Sequence, residues 1–246
     1  MSPTRLFSPV PLGPNSRFKL DSSQSRYLAR ALRLRPGDSL TVFDGSGGEY
    51  SAKIVLMDKS SVDVETVDFL DNSTESPLTV CLVQCISKGD RMDTVVQKAT
   101  EIGVQRISPV LSDYSVVKLD SGKAAKRREH WQKIAQSACE QCGRNIVPQI
   151  DDVISLTTWH EKNHSDSACR LAFLPGAVTS LSSISPPESG MTLLIGPEGG
   201  LSEAEQEHAI GTNFKPVTLG PRILRTETAA IAAIAAVQTL WGDFGE

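Results

Sequence analysis

The apolar positions of this chain change period along its length. In residues 39–43 and 50–56 they form short β-like runs on either side of Asp44-Gly45-Ser46-Gly47-Gly48, which reads as a hairpin turn. Residues 61–67 alternate at Val62 and Val64 and reach Val67 after one slip, predicting a further strand. Ahead of them, residues 22–34 carry Tyr27, Leu28, Ala31, Leu32 and Leu34 at helical spacing, and Arg35-Pro36-Gly37 ends that helix. Short strands with one helix predict a small barrel.

The stretch 71–77 has no apolar residue except Pro77 and predicts a boundary, dividing the chain into 1–72 and 73–246. Beyond it strands and helices alternate. Residues 78–86, 106–111, 170–174, 191–195 and 216–219 read as strands. A helix capped by Asp90 buries Met92, Val95, Val96, Ala99 and Ile102 and stops at Gly103. A long helix over 123–142 sets Trp131, Ile134, Ala135, Ala138 and Cys142 on one face, and helices follow at 202–210 and 228–241. This order predicts an α/β fold with a mostly parallel sheet covered on both faces.

Ligands of such sheets sit at the carboxyl ends of the strands. Three strand ends run into glycine and proline: Leu174-Pro175-Gly176, Gly196-Pro197-Glu198-Gly199-Gly200 and Gly220-Pro221, the last continuing through Arg222 to Thr228. Glycine lets a ligand approach the main chain and proline fixes the turn. Converging, the three bends make a site that reads its ligand by main-chain hydrogen bonds, which suits an adenine ring and an amino-acid tail. Ser202 and Glu205 form a capping box, a structural role.

Other chemistry is poorly represented. Cys139 and Cys142 have the spacing of a metal pair, but no second pair lies nearby. His130, His160, His164 and His208 show no metalloenzyme spacing, and no serine lies in a nucleophile elbow. Five scattered cysteines, no apolar run long enough for a bilayer and no export signal predict a cytoplasmic protein with reduced thiols.

The net charge is −4, mildly against a nucleic-acid partner. Its distribution changes that picture, since phosphate contacts are local. Residues 1–35 hold Arg5, Arg17, Lys19, Arg26, Arg30, Arg33 and Arg35 against Asp21 alone. A second basic run holds Lys118, Lys123, Lys126, Arg127, Arg128 and Lys133, offset by Asp120 and Glu129. A solvated face is the ordinary alternative for either run.

The runs 193–202 and 219–229, with Gly196-Pro197-Glu198-Gly199-Gly200 and Arg225-Thr226-Glu227-Thr228, resemble the two signature loops of the 16S rRNA uracil-N3 methyltransferases, the RsmE-type branch of the SPOUT superfamily. Residues 33–38 with Phe43-Asp44-Gly45 are similar to that family's N-terminal domain, and 97–103 and 139–145 to its central helices. The likeness spans nearly the whole chain and is weakest over 151–189.

The resemblance implies a PUA-like β-barrel joined to a SPOUT methyltransferase domain with a C-terminal trefoil knot, acting as a homodimer. It implies S-adenosylmethionine as methyl donor, and small-subunit ribosomal RNA, within the ribosomal subunit, as partner. Leu174, Gly176, Ile195, Gly196, Pro197, Gly199, Gly200, Leu219, Gly220, Ile223 and Leu224 would bind the donor. Arg225 and Glu227 would be catalytic, with Glu198 a second candidate base, and no metal is required. Arg5, Arg30, Arg33 and Arg144 would bind RNA, with Arg144 also able to reach a partner subunit's site. Three alternatives stand beside this: a Rossmann methyltransferase, whose glycine-rich loop residues 82–89 do not offer; another SPOUT enzyme acting on a ribose 2′-hydroxyl or a tRNA base; and a non-catalytic RNA-binding module.

Overall fold

The computed structural model describes residues 4–58, 61–117, 119–163 and 169–245. Lys118 of the second basic run and His164 lie outside them. The chain divides into two compact units, Met1–Glu75 with Cys139–Val147, and Ser76–Ala138 with Pro148–Glu246. The division expected at 72/73 leaves 139–147 with the second part; the structure places that segment with the first, and hydrogen bonds explain why. Asn145 donates to the backbone carbonyl of Asn72 at 3.0 Å, and the Arg144 guanidinium binds the Glu75 carboxylate.

In the first unit the strands are β1 (Arg5–Phe7), β2 (Arg17–Lys19), β3 (Ser39–Phe43), β4 (Glu49–Met57) and β5 (Val62–Leu70), and helix α1 is Ser22–Arg26. Among the described residues they form one curled sheet in the order β1-β3-β4-β5-β2, with β1 parallel to β3 and the other pairs antiparallel. Leu6, Leu20, Leu28, Leu40, Val42, Ala52, Ile54, Val62 and Val64 fill its core. The turn at 44–48 is the predicted hairpin, with Asp44 Oδ1 accepting from the Ser46 backbone N–H at 3.0 Å. The alternation of β5 runs unbroken from Val62 through Val64 to Thr66, which takes the inner face, and Val67 is exposed.

The predicted helix over 22–34 departs from its pattern. After α1 the chain widens into a π-helical turn, Tyr27–Leu32, which ends at Arg33 in the left-handed region (φ 56°). The wider turn breaks the 3.6-residue repeat, so Leu28 is buried while Tyr27 and Leu32 face solvent.

The second unit holds β6 (Val80–Cys85), α2 (Arg91–Glu101), β7 (Arg106–Leu111), the greater part of α3 (Ser121–Cys142), β8 (Gln149–Ile150), β9 (Ile154–Ser155), α4 (Leu156–Lys162), β10 (Cys169–Phe173), β11 (Met191–Ile195), α5 (Glu203–Gly211), β12 (Lys215–Val217) and α6 (Thr226–Trp241). Every recorded pair in its sheet is parallel, in the order β12-β10-β11-β6-β7-β8, with β9 also on β7. Side chains alternate across a strand, so neighbours on β6 face opposite layers. Val83 and Cys85 pack with Leu156 and Trp159 of α4 and Ala209 of α5. Gln84 points the other way and meets Thr226 of α6. Helices therefore cover both faces, as the pattern predicts.

Gly103 (φ 90°) closes α2 as expected. Asp90 does not cap that helix: its backbone is not extended (φ −84°, ψ 6°), and its side chain makes no capping bond. The Ser202 capping box is present, with Ser202 Oγ accepting from the Glu205 backbone N–H at 3.2 Å and Glu205 Oε2 accepting from that of Ser202 at 2.9 Å. The alanines of α6 permit close packing, and Ala230, Ala233, Ile234 and Val237 are fully buried.

Candidate active site

Sheet order decides where the three glycine-bearing bends fall. β12, β10 and β11 are adjacent and parallel, so their carboxyl ends share one rim. β6 is the next strand, and its carboxyl end leads through residues 86–90 into α2. The bends enclose a cavity of about 810 Å³, within the size range of small-molecule sites.

The cavity wall contains Leu174 and Gly176 from the first bend, Ile195, Gly196, Pro197 and Gly200 from the second, and Leu219, Gly220, Ile223 and Leu224 from the third. Gly199 is not part of that wall. A Cβ there would come within 3.1 Å of Tyr114, so its smallness serves packing behind the loop. Gly176, Gly200 and Gly220 have φ of 82°, 75° and 96°, and open space lies where each Cβ would stand. They leave main chain bare toward the cavity, while leucine and isoleucine supply apolar walls.

Thr226 ties the bends together. Its hydroxyl donates to the Gly196 carbonyl at 2.8 Å and accepts from Gln84 Nε2 at 2.9 Å. The start of α6 is thus fixed to the ends of both β11 and β6. The Leu174 backbone N–H donates to the Val217 carbonyl at 3.1 Å, and that of Thr218 to the Thr179 carbonyl at 3.0 Å, joining the first and third bends.

Arg225 is exposed, and no partner is recorded for its guanidinium among the described residues; Glu227 lies two positions on, in the first turn of α6. Both line the cavity. Glu227 Oε1 is 3.8 Å from Arg91 Nε, and Oε2 is buried without a hydrogen-bond partner. Arg91, which the sequence reading missed, also pairs with Glu198. Glu198 Oε1 further accepts from the Lys88 backbone N–H at 3.1 Å. Burial pushes the Glu198 carboxyl up, but backbone N–H groups of Glu198 and Lys88 together with Arg91 outweigh it and hold it below the usual carboxylate range. Glu198 is therefore a fixed anion with an occupied oxygen, a poor proton acceptor near neutrality. The Lys88-Gly89-Asp90-Arg91 turn at a strand end was the available signal for Arg91.

The four predicted RNA-binding arginines divide. Arg30 and Arg33 are exposed. Arg5 is drawn inward: it pairs with Glu49, donates to Asn145 Oδ1 at 2.7 Å and lies 5.0 Å from the Phe43 ring centre. Arg144 is 2% exposed and donates from Nε to Glu75 Oε2 at 3.0 Å. Both guanidinium groups are thus engaged within this unit, unlike those of Arg30 and Arg33. Cys139 is buried, its thiol pushed up to about 12, first by burial. With Cys142 it is a free thiol, consistent with a structural role.

Comparison with known proteins adds to this geometry. The family model described as RNA methyltransferase domain matches residues 74–238, and that described as RNA methyltransferase PUA domain matches 20–67. A ribosomal RNA small subunit methyltransferase E from Buchnera aphidicola is 34% identical over 240 residues, covering 98% of this chain and 94% of its own. This chain belongs to the ribosomal RNA small subunit methyltransferase E family. Two solved structures agree. The methyltransferase E of Neisseria gonorrhoeae, bound to S-adenosylmethionine, is 40% identical with a TM-score of 0.89, over 98% of this chain and 99% of its own. A Legionella pneumophila methyltransferase with bound S-adenosylmethionine is 36% identical with a TM-score of 0.94, over 99% and 100%. Family membership makes the first unit PUA-like and sets aside the Rossmann alternative.

Proposed function

We propose that this chain transfers the methyl group of S-adenosylmethionine to N3 of a uridine in 16S ribosomal RNA. The observation that carries this reading is the cavity itself: three adjacent bends expose bare main chain, and Arg225 and Glu227 stand among the residues that line it. These residues fit the donor. Apolar Leu174, Ile195, Leu219, Ile223 and Leu224 would hold its adenine and thioether parts, and the main chain at Gly176, Gly196, Pro197, Gly200 and Gly220 its polar edges. Gly199 would act indirectly, through loop shape.

When bound, S-adenosylmethionine supplies a methyl group already activated on a sulfonium. The protein must remove a proton from uracil N3 and stabilise charge on the ring oxygens. N3 lies on the Watson–Crick edge, so the base must be unpaired or flipped out of its stack. The Glu227 carboxylate would accept the proton, and the exposed Arg225 guanidinium would stabilise the uracil anion.

The exposed Arg30 and Arg33, with Arg26 and Arg35 beside them, would grip phosphate from the first unit, leaving the chemistry to the second. The family resemblance is the ground for expecting the chain after β12 to be threaded as a trefoil knot. We place the enzyme in the cytoplasm as a homodimer acting on ribosomal RNA within its subunit. Five free cysteines and the absence, among the described residues, of a helix long and apolar enough to cross a membrane accord with that location.

The test is methyl transfer from labelled S-adenosylmethionine to ribosomal RNA and to small subunits from cells lacking this protein, followed by mass spectrometry of the nucleosides. The expected product is 3-methyluridine. A 2′-O-methylated nucleoside or a methylated tRNA base would overturn the acceptor, and donor binding without transfer would overturn the enzymatic reading.

A further inference from the structure

We propose that Arg91 is a positioning residue that sets the orientation of Glu227, and that Glu198 clamps Arg91 in place. The inference rests on the function proposed above and names a further part of that site.

Arg91 opens α2 directly after the turn from β6, where Gly89 takes φ 73°. Its guanidinium meets two carboxylates delivered by other elements, Glu198 from the bend after β11 and Glu227 from α6. The two contacts differ in character. Glu198 uses one oxygen, Oε1, for both Arg91 and the Lys88 backbone N–H at 3.1 Å, so its carboxylate is held from two sides. Glu227 touches Arg91 loosely through Oε1 at 3.8 Å, and its Oε2 is buried and unmatched. Oε1 thus has Arg91 as its neighbour and Oε2 has no partner, on a residue that lines the cavity together with Arg91.

Stability alone does not account for this arrangement. The Arg91 side chain is 40% exposed, and ion pairs so open to water contribute little to folding. A buried carboxylate oxygen without a partner is unfavourable. Other buried carboxylate oxygens share that state, Asp63 Oδ1 among them, and what sets Glu227 apart is that its residue lines the cavity beside Arg91. A planar guanidinium can hold two carboxylates at a fixed angle, whereas a lysine ammonium is a point charge on a flexible stem. The charge of Glu198 is maintained because burial, which opposes it, is outweighed by backbone N–H groups and by Arg91 itself.

The experiment is a double-mutant cycle on the full chain, read by single-turnover methyl transfer to ribosomal RNA and by calorimetry of S-adenosylmethionine, with melting curves to verify folding. R91A should slow transfer by about 10–100-fold, in the range of lost positioning, while donor affinity stays within about threefold. In an E227Q background R91A should add less than about threefold, because residues acting through one another are not additive. E198Q should slow transfer by less than R91A, and R91K should recover only part of the loss. Equal R91A factors in both backgrounds would overturn the proposal, as would parallel losses of transfer and donor affinity. A wild-type enzyme that transfers no methyl group to ribosomal RNA defeats the proposed function itself, a separate and recognisable result.

Discussion

In the first unit Arg5 and Arg144 meet Glu49 and Glu75 with the arginine side chains 13% and 3% exposed, and neighbouring asparagines complete the set. In the second, Arg91 meets Glu198 and Glu227 at 40% exposure, and Glu227 keeps one buried oxygen unmatched. The residue types are the same and the consequences differ. Buried charges paired with one another are costly to break but hold a segment in place, even though Arg5 Nε itself finds no hydrogen-bond partner. A carboxylate matched on one side only, against a cavity, has capacity left for a ligand. Counting arginines along the sequence does not separate these two situations; their surroundings do.

The strongest way to break this comparison is to neutralise the unmatched oxygen. Glu227→Gln should lower the turnover of methyl transfer by roughly 10²–10⁴-fold, as for loss of a general base, with melting temperature and donor affinity nearly unchanged. A turnover within about threefold of wild type would place Glu227 with the structural carboxylates.

The structural side is probed by Arg144→Ala. Removing the buried arginine strands the partly buried Glu75 carboxylate, and chemical denaturation should show a loss of up to about 3 kcal/mol. Donor affinity of the folded fraction should not change. Stability kept within about 0.5 kcal/mol, the range of ordinary surface substitutions, together with lost RNA binding, would restore Arg144 to the RNA-contacting group.

A third environment sharpens the contrast, because its titratable group is a buried histidine whose charged form is opposed by burial and by other cationic groups. His160 is 1% exposed, with His208 on α5 at a ring separation of 4.9 Å. The Arg170 guanidinium on β10 lies nearby, over the Phe214 and Trp159 rings. Burial first, then His208 and Arg170, push His160 down to about 4. A neutral native imidazole against an unfolded value of about 6.5 means that the unfolded state binds more protons between those values. This contribution is fully present above about 6.5 and is lost as pH falls toward 4, to a maximum of about 3 kcal/mol. Melting curves from pH 7.5 to 4.5 should show that fall, and His160→Gln should flatten it. An unchanged slope in the variant would assign the acid sensitivity to other groups.

The smallest expected effect concerns the cavity loops. Gly220→Ala places a Cβ on a residue at φ 96°, which should cost about 1 kcal/mol in thermal stability. It should also weaken donor binding, since Gly220 lines the cavity and the strained bend would shift its main chain. Unaltered donor affinity would remove Gly220 from the donor's surroundings.

These differences explain what was readable beforehand. The apolar run of β11, the Ser202 capping box and the glycine-bearing bends are local signals, written within a few residues. Parallel alternation then sufficed to expect the bends on one rim. The Arg91–Glu198 pair joins residues 107 positions apart, and no local pattern encodes it. Burial of Arg5 and Arg144 was illegible for a related reason, since a sequence shows their charge but not the glutamates that fold back onto them. The π-helical turn after α1 hid behind an ordinary helical repeat. Helix α4 was missed in 151–189 because seven residues with Leu156 and Trp159 as anchors are too short to show a period.

The central claim is that the bends after β10, β11 and β12 form the donor site while the arginine–glutamate set of the first unit is structural. Amide hydrogen exchange of the full chain, with and without S-adenosylmethionine, tests it most directly. Added donor should slow exchange in 174–180, 196–202 and 218–227 and leave 139–147 as it was. Protection confined to 139–147 and the β1 region, with the three bends unaffected, would contradict it.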